Sequence, residues 1–210
     1  MKIKNKLPQY NESLHFELIK NEWVPIKEPK YLISAIFLSF PLMIINALIS
    51  VGIINIFSNV SLKEFGIEPN SISFTINLGS IFFIMLLIIF HELLHLIFIP
   101  NFIKSENTFI GLTLFGVFVA TEENIPKSRF LLVTIAPFII ISVILPIILG
   151  FCGLLTSTLK FLIILNSLAS SVDILYLLLI IKQVPKNGIL KNNGHKTYWN
   201  NKQRGCPKRQ

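Results

Sequence analysis

The chain has 210 residues, 52% of them hydrophobic and only 14% charged, with 19 Lys and Arg against 11 Asp and Glu and a formal net charge of +8. Soluble domains carry about 25% charged residues, so this composition excludes an ordinary water-soluble enzyme and a disordered tail. Nucleic-acid binding is excluded too, because no aromatic–basic motif or nucleic-acid module accompanies the positive charge. Cys152 and Cys206 are too few and too far apart for a metal-binding pair or a disulfide framework.

The first 30 residues are polar and basic, and no apolar run follows the initial lysines closely. A cleavable signal peptide is therefore not expected, and the first long apolar run should insert and stay. Within this segment Ser13 to Trp23 has mixed periodicity: Leu14, Phe16 and Leu18 alternate like a strand, while Leu14, Leu18 and Ile19 also suit a helix. It reads as an interfacial element of either type.

Four apolar runs follow, at Tyr31–Phe57, Ile72–Ile99, Phe130–Leu155 and Leu159–Ile181. Each exceeds the roughly 20 residues a helix needs to cross about 30 Å of hydrocarbon, and none is long enough for two crossings. Pro41, Pro137 and Pro146 lie inside spans as expected kinks, and Pro100 stands after the second span as a stop. The expected fold is an all-α membrane protein. A cytoplasmic segment (1–30) precedes a four-span domain (31–182), and a basic cytoplasmic tail (183–210) follows it.

The charges set the orientation. The N-terminal segment, the loop between spans two and three and the tail together hold 17 Lys and Arg; the other two loops hold one each, Lys63 and Lys160. Both termini should be cytoplasmic, and the basic balance is an expression of topology. Between spans two and three, Phe109 to Ala120 is apolar but too short to span, and it is rich in β-branched and aromatic residues. A short membrane-level hairpin or strand is expected, with a re-entrant or interfacial helix as the alternative. The tail from Lys182 to Gln210 either rests on the membrane surface or is disordered.

Apart from Lys160 at the very entry to the fourth span, only four readily ionisable residues lie within the spans: His91, Glu92, His95 and Asp173, the chain's single aspartate. Inserting a charged residue at the centre of a span costs at least about 2.5 kcal/mol, so such groups read as functional. His91-Glu92-Leu93-Leu94-His95 is an HExxH pattern. On a helix, positions i and i+4 share a face, so both imidazoles reach one ion. Glu92, about 100° round the helix, is free to act as general base on metal-bound water. The alternative is a pair of histidines that merely hydrogen-bond helices together.

A catalytic zinc site needs a third protein ligand. His91 and Asp173 each lie eight residues before the cytoplasmic ends of their spans, roughly 12 Å deep at 1.5 Å per residue. Asp173 is therefore the leading third ligand, with His15 and His195 in the tails as rivals. Asn166, Ser170 and Asp173 fall at i, i+4 and i+7, on one helical face. Asn166 reads as a donor to substrate or to the transition-state oxygen, or as a partner orienting Asp173. Ser170 reads equally as a functional group or as small-residue packing.

At these residues the chain resembles the site-2 protease group of intramembrane zinc metallopeptidases. It is more closely similar to a bacterial family of small four-span "putative zincin peptidases". The likeness runs from about Tyr31 to Trp199. It rests on the HELLH at 91–95, the Phe109–Gly116 segment, Pro126-Lys127-Ser128-Arg129-Phe130 with Ala136-Pro137 beyond it, and Ser170-Ser171-Val172-Asp173. The resemblance implies that Asp173 is the third Zn²⁺ ligand and that substrate adds as a strand beside Phe109–Ala120. The chain departs from site-2 proteases in lacking their prolines and Leu-Asp-Gly around the aspartate. The expected function is intramembrane peptide hydrolysis of membrane-embedded or membrane-proximal proteins in the bacterial cell membrane. Two other readings stand beside it: a lipid-modifying zinc hydrolase, and a non-catalytic accessory or immunity-type protein with a structural metal or none.

Overall fold

The computed structural model describes residues 2–3, 8–69, 71–73, 78–113 and 116–201. In chain order its strands are β1 (Lys2–Ile3), β2 (Val24–Pro25), β3 (Ile67–Glu68), β4 (Ser71–Ile72), β5 (Thr108–Thr113), β6 (Gly116–Thr121), β7 (Ile125–Pro126), β8 (Gly188–Asn193) and β9 (Lys196–Asn201). Its helices are α1 (Glu12–Lys20), α2 (Leu32–Phe57), α3 (Leu78–Phe98), α4 (Lys127–Pro137), α5 (Leu145–Phe151), α6 (Ser157–Ala169) and α7 (Ser171–Gln183). A π-helical stretch, Phe138–Ile144, joins α4 to α5.

Four helices are long and apolar enough to cross a bilayer: Leu32–Phe57, Leu78–Phe98, Lys127–Phe151 and Ser157–Gln183. The protein is an integral membrane protein of four such helices, with the β5–β6 hairpin between the second and third. The hairpin runs in antiparallel register from Thr108↔Thr121 to Thr113↔Gly116. Leu114 and Phe115, part of the expected β-element, lie outside the described residues.

Several boundaries differ from the sequence expectation. The second long helix starts at Leu78 rather than Ile72, because Ile72 pairs with Ile67 in the small β3–β4 hairpin. Gly66, at φ +74°, supplies the left-handed conformation that ends the short 3-10 helix Leu62–Phe65 just before β3. The third helix runs earlier and stops at Phe151, two residues before Gly153 at φ +68°. The fourth is interrupted at Ser170. The bonds Ser170 N–H to Asn166 C=O and Ile174 N–H to Ser170 C=O carry helical winding across the interruption. The ambiguous Ser13–Trp23 stretch is the helix α1, capped by the Asn11 side chain, which accepts the Leu14 N–H.

The chain folds as two compact units. The sheet unit comprises Met1–Tyr31, Glu92–Thr134 and Tyr176–Gln210. Besides β1–β5–β6, it holds an antiparallel sheet in the order β2–β9–β8–β7. The tail is thus neither disordered nor a bare surface segment as far as Asn201; 202–210, with Cys206, lie outside the described residues. Gly194, at φ +59°, opens the two-residue turn of the β8–β9 hairpin. Ile26, Ile180, Val184 and Leu190 form an apolar core, with Phe130, Leu131 and Trp199 packed against it. Asn193 ties the hairpin to the start of α1 through its amide, which accepts the Asn11 N–H and donates to the Asn11 C=O.

The helical unit comprises Leu32–His91 and Ile135–Leu175. Here α2 packs on α5, α6 and the π-helical stretch. Its interior mixes apolar side chains such as Ile54, Phe138 and Ile163 with many small polar ones: Ser39, Asn46, Ser50, Ser142, Asn166 and Ser167 are all buried. Phe37, Leu38, Phe40, Ile45 and Leu48 on α2 are exposed, as suits a helix bathed in lipid. Small residues let these helices approach closely, and hydroxyls and amides bond across them. Asn46 donates to the Ser167 carbonyl and Ser50 to the Ser142 carbonyl. Lys160, buried at the start of α6, donates to the Asn59 carbonyl and to both oxygens of Glu64. That contact chiefly holds the Glu64 carboxyl below its usual range.

Candidate metal centre

An apolar helix with no interior glycine or proline after Gly79 carries the HExxH residues, so His91 and His95 stand one turn apart on α3. The division of the chain into its two units falls between His91 and Glu92, inside this uninterrupted helix. The placing of His95 relative to His91 therefore follows from the helix itself. Asp173 occupies the first turn of α7, where the amino-terminal end of a helix favours negative charge.

Within the helical unit, His91 Nε2 lies 3.3 Å from Asp173 Oδ2. One ligand atom each of His91, His95 and Asp173 lies within 4.8 Å of the others, and all three side chains are half-buried. This is the group of His, Cys, Asp and Glu that the described residues offer for holding an ion. The rivals His15 and His195 sit in an aromatic cluster instead. His15 Nδ1 is 2.8 Å from the Tyr198 hydroxyl, and both imidazoles lie against Tyr10.

Hydrogen bonds fix the tautomer of both histidines on α3. His95 Nδ1 is 2.8 Å from the Val133 carbonyl, which can only accept, so this nitrogen carries the proton. His91 Nδ1 is 2.9 Å from Asn166 Oδ1. The amide's orientation is set by its other end, where Nδ2 donates to the Pro137 carbonyl and the Ser142 hydroxyl. Asn166 therefore accepts at Oδ1, and His91 also carries its proton on Nδ1. With Nδ1 donating, Nε2 is the nitrogen of each ring that is available to a metal, the arrangement that metal-ligating histidines adopt.

The ligand atoms fit a divalent cation. A cation between His91 Nε2 and the Asp173 carboxylate would be coordinated by both atoms at once. A tetrahedral site with bonds of about 2.0–2.1 Å sets its ligand atoms about 3.3 Å apart, which is the His91–Asp173 separation. Two imidazoles and one carboxylate leave a fourth position open.

Glu92 points elsewhere on the helix, as its place in the pattern requires. Its Oε2 accepts the Val119 N–H of β6 at 3.1 Å, inside the sheet unit. Asn166 is fully buried, and both ends of its amide are engaged. It orients His91; the sequence pointed to Asp173 or to substrate as its partner. Ser170 is also fully buried, and its hydroxyl has no hydrogen-bond partner among the described residues. Two contributors were absent from the sequence reading: the Val133 carbonyl behind His95 and the Val119 amide behind Glu92. A carbonyl or an amide at these positions leaves no mark in residue type.

No curated protein and no solved structure matches the chain. A family model described as "Putative zincin peptidase" matches residues 84–189. That stretch begins within α3, ahead of the HExxH pattern, and ends at the start of β8, so it takes in all three metal-ligating candidates, Glu92, Asn166 and the β5–β6 hairpin. With just over half of its length inside that match, the chain belongs to this zincin-type family.

Proposed function

We propose that the protein is an intramembrane zinc metallopeptidase. The observation that carries this reading is the union of an HExxH helix with an aspartate from a later span, His91 and Asp173 lying 3.3 Å apart. His91, His95 and Asp173 hold the ion. Bound zinc lowers the pKa of its water towards about 7 and polarises a scissile carbonyl. Glu92 takes the proton from the attacking water and delivers it to the departing amine nitrogen, as the glutamate of an HExxH helix does. The Val119 N–H keeps that carboxylate aimed while the proton moves. Asn166 and Val133 hold the two imidazoles against rotation.

The substrate is a membrane-embedded or membrane-proximal polypeptide, unwound locally so that its amide is exposed. Among the described residues β6 ends the order β1–β5–β6, and an extended strand can add along its outer edge beside the Val119 N–H that Glu92 holds. The 17-to-2 distribution of Lys and Arg supports a location in the bacterial cell membrane with both termini and the β5–β6 hairpin on the cytoplasmic side.

The test compares membranes from cells that make wild-type protein or Glu92→Gln, using mass spectrometry of newly formed peptide amino-termini. General acid–base catalysis contributes about 10²–10⁴-fold. Products should therefore disappear in the variant while its zinc content stays at the wild-type level. Undiminished cleavage by Glu92→Gln would sink the proposal.

A further inference from the structure

Both histidines of the candidate metal centre lean on one residue that holds no metal itself. In an α-helix the carbonyl of residue 133 accepts the N–H of residue 137. Residue 137 is a proline, which has no N–H and whose ring crowds the carbonyl four residues back. The Val133 carbonyl is thereby left without its helical donor, and it is this carbonyl that accepts the His95 Nδ1–H at 2.8 Å. The carbonyl of Pro137 itself accepts the Asn166 Nδ2–H at 3.2 Å, and Asn166 Oδ1 accepts the His91 Nδ1–H at 2.9 Å. The winding changes from α to π directly after Pro137, a change found mostly at functional sites.

We infer that Pro137 is a positioning residue for the metal centre. By withholding one N–H it assigns the Val133 carbonyl to His95, and through its own carbonyl it supports the amide that holds His91. The same helix contains an internal comparison. Pro146 likewise offers no N–H to the carbonyl four residues back, that of Ser142, and this carbonyl accepts the Ser50 hydroxyl at 3.2 Å rather than a histidine. One proline serves the metal ligands; the other serves helix packing.

The inference rests on the metal-binding reading above, and its test separates the two. Full-length wild type, Pro137→Ala and Pro146→Ala are purified in detergent, and Zn²⁺ affinity is measured by competition with a chromophoric chelator. The visible spectra of the Co²⁺-loaded proteins and the thermal unfolding of the metal-free proteins are recorded alongside. Replacing a helical proline by alanine favours the helix, so neither variant should lose thermal stability without metal. Loss of a hydrogen bond behind a ligating histidine weakens metal binding about 10–100-fold. Pro137→Ala should show that loss and an altered Co²⁺ spectrum, while Pro146→Ala keeps wild-type affinity and spectrum. Wild-type affinity in Pro137→Ala, or an equal loss in both variants, overturns the role of Pro137. Wild-type protein that binds neither ion overturns the metal centre itself, and the inference with it.

Discussion

The two units of the chain are built on opposite rules. In the sheet unit, Ile26, Ile180, Val184 and Leu190 are inside, as in any protein folded by water. In the helical unit, serines and asparagines share the inside with Ile54, Phe138 and Ile163, while Phe37, Leu48 and their neighbours on α2 are exposed. Lipid tails are as apolar as leucine, so burying leucine between spanning helices gains little there. Small side chains and cross-helix hydrogen bonds supply the cohesion instead. A polar interior also gives an ionisable group in a span a partner, as the buried Asn166 amide does for His91.

The largest expected effect comes from trimming the same residue type in each unit. Leu190 is fully buried and Leu48 is 65% exposed. Leu190→Ala should destabilise the protein by about 2–5 kcal/mol, through lost burial and the cavity left behind. Leu48→Ala should cost less than about 1 kcal/mol, since surface substitutions away from special features usually fall within about 0.5 kcal/mol. Thermal unfolding in detergent reads both. Equal losses would contradict the burial of Leu190 in the sheet unit and the exposure of Leu48 on the helical unit's surface.

A smaller effect sharpens it through pH. In the sheet unit, burial pushes the Glu28 carboxyl up to about 7, against the lowering influence of hydrogen bonds from Thr197 and of the Lys196 charge. The folded state therefore binds the proton more tightly than the unfolded chain does. Glu28 then costs no stability below about pH 4.5, and its penalty grows as pH rises towards about 7. Glu28→Gln keeps an acceptor for the Thr197 N–H, now at 2.8 Å, and removes the titration. It should raise stability at pH 8 by about 1–3 kcal/mol and change little at pH 4. An equal change at both pH values would contradict the assignment. Glu64 has the opposite sign: its contribution, held chiefly by Lys160, is present at neutral pH and lost on acidification.

Much of this was legible in the sequence, for identifiable reasons. Spanning helices follow from apolar run length, and HExxH follows from the 3.6-residue period that stacks i and i+4. The single aspartate at matching depth pointed to Asp173, and the structure sets it 3.3 Å from His91. Other features were written in signals that hydropathy hides. Asn193-Gly194 between two β-prone stretches marks the β8–β9 hairpin, yet the lysines and asparagines around it read as tail. Asn11 ahead of Glu12 marks the start of α1, where side-chain periodicity alone left strand and helix equal. Pro137 was visible as a kink, but that its freed carbonyl would meet His95 depends on which helices pack together, and no local pattern encodes that. The interruption at Ser170 was equally hidden, since helical hydrogen bonds run through it.

The most direct test of the account is the zinc content of the full-length protein, purified in detergent and re-equilibrated with Zn²⁺, for wild type, His95→Ala and Asp173→Ala. Three protein ligands around one ion predict about one zinc per chain in wild type and its loss in both variants. Zinc retained in full by Asp173→Ala would contradict the joining of the HExxH helix to α7 through a shared ion, and with it the site on which the proposed chemistry depends.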